Sequence, residues 1–337
     1  MSRKRIVYLD AVRCVACLMV VAIHAPLTVG ETQSHFLSAL SYLSAPCIGM
    51  FFMVSGALLL PAKGSMSDFF RRRFTKILWP TVTWTLFYIA VGYFRGSIDN
   101  VPRALLESLL WPVSQGALWF MYSLIGLYLI TPILSAWLER ASKRGLQFYL
   151  GLWAVTLCLP VLSAVTGANL SGSYLFVYLS GYVGYFVLGY YLRRYGFPGG
   201  WRVLVPLVAV ALAAPVVTAL MHWQVDFYSV FWLLSVFVAV MGCAWFMGLR
   251  KVCASVDVQG RLARMLAGVS NLSFGIYLAH MFIIRQLLWN WPLIQNIGNL
   301  ELRTLTIVAL AFVSATALSW LISITPLGNY LIGYRRK

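Results

Sequence analysis

The chain has 337 residues, of which 61% are hydrophobic and 10% are charged, and its formal net charge at pH 7 is +17. This composition excludes an ordinary soluble domain, in which about 45–50% of residues are apolar and about 25% are charged. Because a spanning helix needs about 20 mostly apolar residues, the sequence predicts an all-α integral membrane protein.

Ten apolar stretches, separated by charged or Gly- and Pro-rich breaks, are predicted to cross the membrane as helices. Too little sequence lies between them for a soluble domain, so residues 1–337 are predicted to form a single polytopic membrane domain. In chain order the stretches are 6–29, 43–61, 75–94, 117–137, 146–166, 174–192, 203–221, 228–248, 266–287 and 304–325.

The basic residues are distributed unequally between the two sides of these stretches. With the N-terminus in the cytoplasm, the inner segments hold 21 of the 26 Lys and Arg residues, and the outer segments hold four. Short cytoplasmic loops collect Lys and Arg, so ten spans with both termini in the cytoplasm are predicted. The positive charge then reflects topology and contact with the lipid bilayer, and no nucleic-acid partner is predicted.

The first stretch carries ionisable residues, which the bilayer penalises by about 2.5–3.5 kcal/mol each. Arg13 and His24 are 11 positions apart, which on a helix is about 20° beyond three full turns and about 16 Å along the axis. Asp10 and Cys17 fall close to the same line, so the four side chains form one polar stripe. In a structural interpretation Asp10 pairs with Arg13 and His24 bonds to a neighbouring helix. In a functional interpretation the stripe lines a site in which Asp10 is a positioning residue.

A second polar stripe favours the functional interpretation. In the ninth stretch Ser270, Ser273, Tyr277 and His280 follow helical spacing on one face. His280 is predicted to lie at a depth close to that of His24 in the first stretch. Two histidines at matched depth indicate one shared chamber.

The third stretch is preceded by a basic run that consists of Arg71, Arg72, Arg73 and Lys76. Anchoring at the cytoplasmic face is one explanation for such a run. In the alternative explanation the guanidinium groups bind phosphate or pyrophosphate, for which their planar fork is suited.

Small residues inside the stretches also have two interpretations. Ser55 and Gly56 in the second stretch allow either close packing of helices or close approach by a ligand. Cys14 and Cys17 form a C-x-x-C, but no second pair completes a metal site, so both are predicted to be packing residues. No metal site and no structural disulfide is predicted.

Five signatures occur in a fixed order along the chain. Arg13 and His24 form a basic residue, ten intervening residues and a histidine, and FFMVSG follows at 51–56. Arg73 and Lys76 form an R-x-x-K pair, and LWFMYSLIGLYLITPIL (118–134) and SFGIYLAH (273–280) complete the set. Over nearly its whole length the chain therefore resembles the bacterial membrane-bound acyltransferase family 3. Lys76 departs from the second arginine that many members of that family have.

The resemblance implies a membrane O-acyltransferase of the bacterial cytoplasmic (inner) membrane. Such an enzyme takes an acetyl or other short acyl group from cytoplasmic acetyl-CoA and transfers it to a hydroxyl of a surface polysaccharide or lipid-linked glycan. The basic run, with Arg13 and the small residues Ser55 and Gly56, is then predicted to hold the CoA group.

The predicted catalytic residues are His24, Arg13, His280 and Tyr277, and two chemistries remain open for His24. As a general base it takes the proton from the acceptor hydroxyl, and as a nucleophile it carries the acyl group before the acceptor arrives. His280, Tyr277 or Ser273 is predicted to orient the imidazole or to donate to the oxyanion.

Aromatic residues at the predicted outer ends have two interpretations. Trp119 and Tyr122, together with Trp289 and Trp291, stack on a sugar ring of the acceptor. Alternatively, they belong to the aromatic belt found at membrane interfaces.

Two further functions are compatible with the sequence. A transporter or flippase of an anionic or sugar substrate also has Arg and His side chains along its pathway, although the sequence shows no matching pair of broken helices in repeated halves. A non-catalytic scaffold of a glycan-assembly complex is the third possibility, and its activity would not depend on His24.

Overall fold

A computed structural model describes residues 5–26, 34–112, 118–170, 174–223 and 225–336. Within these ranges the chain is helical and contains no β-strand, so the all-α prediction is confirmed for them. Residues 27–29 of the first predicted stretch and residue 117 of the fourth lie outside the described residues.

The longer helices overlap the predicted apolar stretches in chain order, and shorter helices lie between or after them. They are α1 (Val7–His24), α2 (His35–Ser44), α3 (Cys47–Leu59), α4 (Met66–Phe94), α5 (Val101–Glu107), α6 (Trp119–Arg140), α7 (Lys143–Thr166), α8 (Val183–Tyr195), α9 (Trp201–Leu220), α10 (Phe227–Val230), α11 (Val236–Val252), α12 (Arg261–Phe282), α13 (Pro292–Gln295), α14 (Leu300–Ile324) and α15 (Gly328–Ile332).

Nine helical segments in the described part of the chain are long and apolar enough to cross a membrane. This finding confirms a multi-pass membrane protein. The segments are Val7–His24, His35–Leu59, Met66–Phe94, Trp119–Arg140, Lys143–Thr166, Trp201–Leu220, Val236–Ser255, Arg261–Leu288 and Leu300–Ile324.

The sixth predicted span, 174–192, has a different form in the structure. It contains a 3₁₀ turn at Val177–Leu179 and most of the 13-residue helix α8. A helix of that length rises about 20 Å, which is less than the roughly 30 Å of the hydrocarbon layer. The number of crossings and the side on which the termini lie therefore stay predictions.

The chain divides into two compact units, each built from three separate segments. The first unit comprises Met1–Ile23, Thr32–Pro61 and Leu134–Ala267, and the second comprises His24–Glu31, Ala62–Ile133 and Gly268–Lys337. The single-domain interpretation stays a prediction.

In the first unit, the short helices α3 and α8 pack closely against each other. Gly56 of α3 faces the backbone of Phe186, and Gly189 of α8 faces the backbone of Met53. A Cβ atom at either glycine would overlap the facing backbone. Glycine at these two positions therefore allows the helices to approach at backbone distance, as in other pairs of membrane helices.

Arginine side chains bind the C-terminal ends of the same two helices. Ala57 lies four residues before Pro61, which has no N–H to continue the helical bonding. The carbonyl oxygen of Ala57 accepts a hydrogen bond from Nη1 of Arg193 instead. Nη1 of Arg250, on α11, donates to the carbonyl oxygen of Leu192 at 2.8 Å. Both bonds place a cation at the negative end of a helix dipole.

In the second unit, side-chain hydrogen bonds hold α4 against α12 and α15. Nε1 of Trp84 donates to the carbonyl oxygen of Leu331 at 2.9 Å. The hydroxyl of Tyr88 donates to the carbonyl oxygen of Leu278 at 2.8 Å. Leu278 lies two residues before His280, so the second bond supports the part of α12 that carries this histidine.

Candidate functional site

Two histidines of the second unit lie side by side. His24 is the last residue of α1, and His280 lies close to the end of α12. Their ring centroids are 5.1 Å apart and their planes are tilted by 60°. His280 is fully buried and His24 is half-buried. The structure thus brings together two titratable rings from opposite ends of the sequence.

A backbone hydrogen bond sets the tautomer of His280. Its Nδ1 atom contacts the carbonyl oxygen of Tyr277. A carbonyl oxygen only accepts hydrogen bonds, so Nδ1 carries the hydrogen and Nε2 of the neutral ring keeps its lone pair. Nε2 is buried and has no hydrogen-bond partner among the described residues. His280 therefore offers an acceptor nitrogen inside the protein.

Aromatic rings border the histidine pair on one side. The ring of Tyr277 lies 5.5 Å from that of His280, and the ring of Phe120 lies 5.2 Å from that of Tyr277. Phe120 and Tyr277 are both buried. Water is displaced from this side of the pair, which strengthens electrostatic interactions there.

A π-helical turn follows the end of α12, three residues after His280. It spans Ile283–Leu288, and the N–H of Trp289 bonds to the carbonyl oxygen of Ile284, five residues earlier, at 2.9 Å. Nε1 of Trp289 donates to the carbonyl oxygen of Ala25, the residue after His24, at 3.2 Å. Single π-helical turns inside α-helices occur frequently at functional sites.

The guanidinium of Arg285 lies 5.6 Å from the ring centroid of Trp289, in a cation–π contact. In the sequence, Arg285 is one of the four basic residues of the predicted outer segments, and Trp289 was interpreted either as a sugar-stacking residue or as part of the aromatic belt. An arginine five residues after a buried histidine in an apolar run was the signal that could have identified this region.

The serines of the second polar stripe bond within their own helix. Oγ of Ser273 donates to the carbonyl oxygen of Ser270 at 2.8 Å, and both residues are buried. The positioning role predicted for Ser273 stays a prediction.

The other members of the first stripe lie in the first unit. The carboxylate of Asp10 accepts from Nε of Arg5 at 2.6 Å and from Nη2 at 3.1 Å. This fork gives Asp10 a partner outside the stripe, and the predicted pairing of Asp10 with Arg13 stays a prediction. Arg13 is half-buried on α1 and Cys17 is buried. The roles predicted for Asp10 and Arg13 stay predictions.

The basic run occupies the first turns of α4, in the second unit. Arg71 and Arg72 are exposed, and each lies 3.8 Å from a carboxylate oxygen of Asp68. Arg73 is half-buried and Lys76 is exposed. Exposed ion pairs of this kind contribute about 0–1 kcal/mol, so the positive charge of the run is accessible to a dissolved anion.

The remaining predicted residues have local partners or lie at helix ends. The hydroxyl of Tyr122 donates to the carbonyl oxygen of Ser108 at 2.6 Å, and Trp119 is the half-buried first residue of α6. Gly56 packs against α8, so of the two interpretations of this glycine the structure shows close helix packing. Ser55 beside it is half-buried.

A protein-family model described as an acyltransferase domain matches residues 6–324 of the chain. No curated protein and no solved structure matches the chain. The matched range includes both histidines and the whole basic run.

Proposed function

We propose that this membrane enzyme is an O-acetyltransferase. The chain belongs to the acyltransferase family 3, whose domain model matches residues 6–324, and this membership supports the proposal. The donor is cytoplasmic acetyl-CoA, or another short acyl-CoA, and the acceptor is a hydroxyl of a surface polysaccharide or lipid-linked glycan. The observation that carries the proposal is the ring contact between His24 and His280.

In the proposed reaction His24 is the general base. It takes the proton of the acceptor hydroxyl as the oxygen attacks the thioester carbonyl, and the carbon–sulfur bond then breaks. The CoA thiolate leaves and recovers the proton. In the alternative reaction His24 attacks the thioester itself, releases CoA and passes the acetyl group to the acceptor hydroxyl.

His280 assists His24 in either reaction. Because its Nδ1–H is engaged by the Tyr277 carbonyl oxygen, the lone pair on Nε2 is free to accept a hydrogen bond or a proton. A buried acceptor beside the catalytic imidazole favours one orientation of that ring and stabilises its protonated form.

The donor is assigned to the positive charges of the chain. Arg71, Arg72, Arg73 and Lys76 are proposed to bind the CoA phosphates, since phosphate replaces the long ion pairs with Asp68 by charged hydrogen bonds. Arg13 lies about 16 Å from His24 along α1, a span comparable to the pantetheine arm, and is assigned to the donor as well.

The acceptor is proposed to be a glycan at the outer face of the bacterial inner membrane. The opening sequence LDAVRCVACLMVVAIH resembles O-acetyltransferases that act on enterobacterial common antigen, which favours a lipid-linked glycan. Trp119 and Tyr122 are the candidates for stacking on its sugar rings.

The test uses inverted membrane vesicles, radiolabelled acetyl-CoA and a lipid-linked glycan fraction. Label is expected on the glycan with the wild-type protein and with His35→Ala, which changes an exposed histidine, but not with His24→Ala. Absence of both turnover and CoA binding would reject the donor. Equal labelling by His24→Ala would indicate a scaffold, and glycan movement without consumption of acetyl-CoA would indicate a transporter.

A further inference from the structure

Three helix ends of the first unit bring a tyrosine and two arginines together. Tyr8 lies in the first turn of α1, Arg193 in the last turn of α8 and Arg250 in the last turn of α11. The ring of Tyr8 contacts that of Phe246, which lies one turn before Arg250 on α11, and Arg250 donates to the carbonyl oxygen of Leu192, the residue before Arg193. None of these three residues belongs to the donor or acceptor groups described above.

The two arginines have more N–H donors than their bonds to the helix carbonyl oxygens require. In the described part of the chain, each arginine donates a hydrogen bond to a helix carbonyl oxygen, whereas a guanidinium has five N–H donors. No ion pair in the described part of the chain involves either arginine. The carboxylate of Asp10, on the same helix as Tyr8, is held by Arg5. The cluster therefore carries two positive charges without a described counter-ion.

The hydroxyl of Tyr8 also indicates a ligand at this cluster. It is buried and has no hydrogen-bond partner among the residues that the structure describes. An edge-on contact with Phe246, at 5.6 Å between ring centroids, fixes the ring. A buried hydroxyl without a hydrogen-bond partner is unfavourable, because it loses its bonds to water and gains none in the protein. Capping of α3 and α8 explains both arginines, but it does not explain this hydroxyl, because phenylalanine would pack equally well there.

We propose that Tyr8, Arg193 and Arg250, all in the first unit, form an anion site that binds a phosphate or diphosphate group. Guanidinium groups bind phosphate oxygens in a planar fork, and the Tyr8 hydroxyl adds a third donor. The same chemistry is present in the phosphates of CoA and in the headgroup of an anionic lipid. The identification of CoA as one ligand of this site rests on the proposed function, in which acetyl-CoA is the donor.

The experiment measures binding of CoA and of inorganic diphosphate to the full-length protein in nanodiscs of zwitterionic lipid. Tyr8→Phe is expected to weaken binding about tenfold while the melting temperature stays the same or rises. Arg250→Gln is expected to weaken binding at least as much. The matched controls are Tyr195→Phe and Lys251→Gln, which change an aromatic ring and a cation close to the same helix ends, and both are expected to bind normally.

Each outcome bears on the proposal. If folded Tyr8→Phe and Arg250→Gln bind both probes with wild-type affinity, or if the controls lose as much affinity as the variants, the site is rejected. If the wild type binds diphosphate but not CoA, and Tyr8→Phe weakens this binding, the anion site stands and the acetyl-CoA donor of the proposed function fails.

A lipid source is tested in the same nanodiscs with phosphatidylglycerol added. If the wild type binds neither soluble probe but its melting temperature rises with phosphatidylglycerol, and Tyr8→Phe abolishes that rise, the phosphate belongs to a lipid headgroup. A wild-type protein that responds to none of the three ligands overturns the proposal.

Discussion

The Arg5–Asp10 pair of the first unit and the His24–His280 pair of the second each include an ionisable group on an apolar helix, yet the surroundings of the two pairs are opposite. Both carboxylate oxygens of Asp10 are bound by Arg5. Nε2 of His280 is buried without a partner among the described residues. An ionisable residue within an apolar stretch thus belongs to an ion pair in the first unit, and in the second unit it offers the acceptor nitrogen Nε2 of His280. We expect the first pair to matter for stability and the second for acyl transfer.

The largest expected effect is that of His24→Ala. Removal of a general base lowers the transfer rate by about 10² to 10⁴, or by more if the histidine carries the acyl group. Binding of acetyl-CoA and insertion into the membrane are expected to remain, because the substitution makes α1 more apolar. The measurements are the transfer rate from labelled acetyl-CoA and the affinity for CoA.

The matched control for this change is His35→Ala, at an exposed histidine. Wild-type transfer by folded His24→Ala would reject the catalytic assignment. Incubation with labelled acetyl-CoA and no acceptor separates the two chemistries, since label retained on the wild type but absent from His24→Ala identifies an acyl carrier.

His280→Phe is expected to have the next largest effect. The ring shape remains, but both nitrogens are lost, so His24 loses its buried acceptor and transfer falls by about 10²-fold. Residues that act as a unit are not additive. The double variant His24→Ala/His280→Phe is therefore expected to be no slower than His24→Ala alone. Independent, multiplying losses would show that the two rings do not act together.

Arg73→Ala tests the donor region of the second unit. Loss of a charged hydrogen bond to phosphate is expected to weaken CoA binding by about 1.5–3 kcal/mol. Arg71 and Arg72 still anchor the start of α4, so expression is expected to be normal. Arg95→Ala, just beyond the other end of α4, is the control. Unchanged CoA affinity would assign the run to membrane anchoring alone.

The smallest expected effect is that of Arg5→Gln, which removes one ion-pair partner of Asp10. The side chain of Arg5 is 42% exposed, so solvent screens the pair and the expected loss of folding free energy is about 1 kcal/mol or less. Transfer per folded molecule is expected to stay at the wild-type level. A thermal unfolding series combined with the transfer assay measures both quantities. A large loss of transfer without a loss of stability would remove the contrast between the two pairs.

The membrane character of the chain and most of its helices follow from local sequence, because hydropathy measured over about 20 residues reports the free energy of transfer into the bilayer. The segment 174–192 shows the limit of that method. Most of α8 is buried, and it packs against α3 at Gly56 and Gly189. A helix buried in protein and a helix buried in lipid have the same hydropathy, so sequence does not separate them.

The candidate site was predictable in part, because helical periodicity determines the helix face on which a side chain lies and its depth along the span. The spacing of His24 and His280 in their stretches indicated a shared depth, and the structure brings the rings together. The bond from His280 to the Tyr277 carbonyl and the π-helical turn at Ile283–Leu288 were not predictable. A change of the hydrogen-bonding pattern within a helix leaves the composition of the sequence unaltered.

The sequence by itself determined an all-helical, multi-pass membrane protein with ionisable residues on particular helix faces, because these properties depend on transfer free energy and on the fixed angle between successive residues. Only the tertiary structure decided which of those residues have partners. Arg5 forms a fork with Asp10, Arg193 takes the place of an N–H that Pro61 lacks, and Trp289 bonds to the residue after His24. Such pairings join residues through contacts between helices, and the distances across those contacts depend on packing rather than on spacing along the chain.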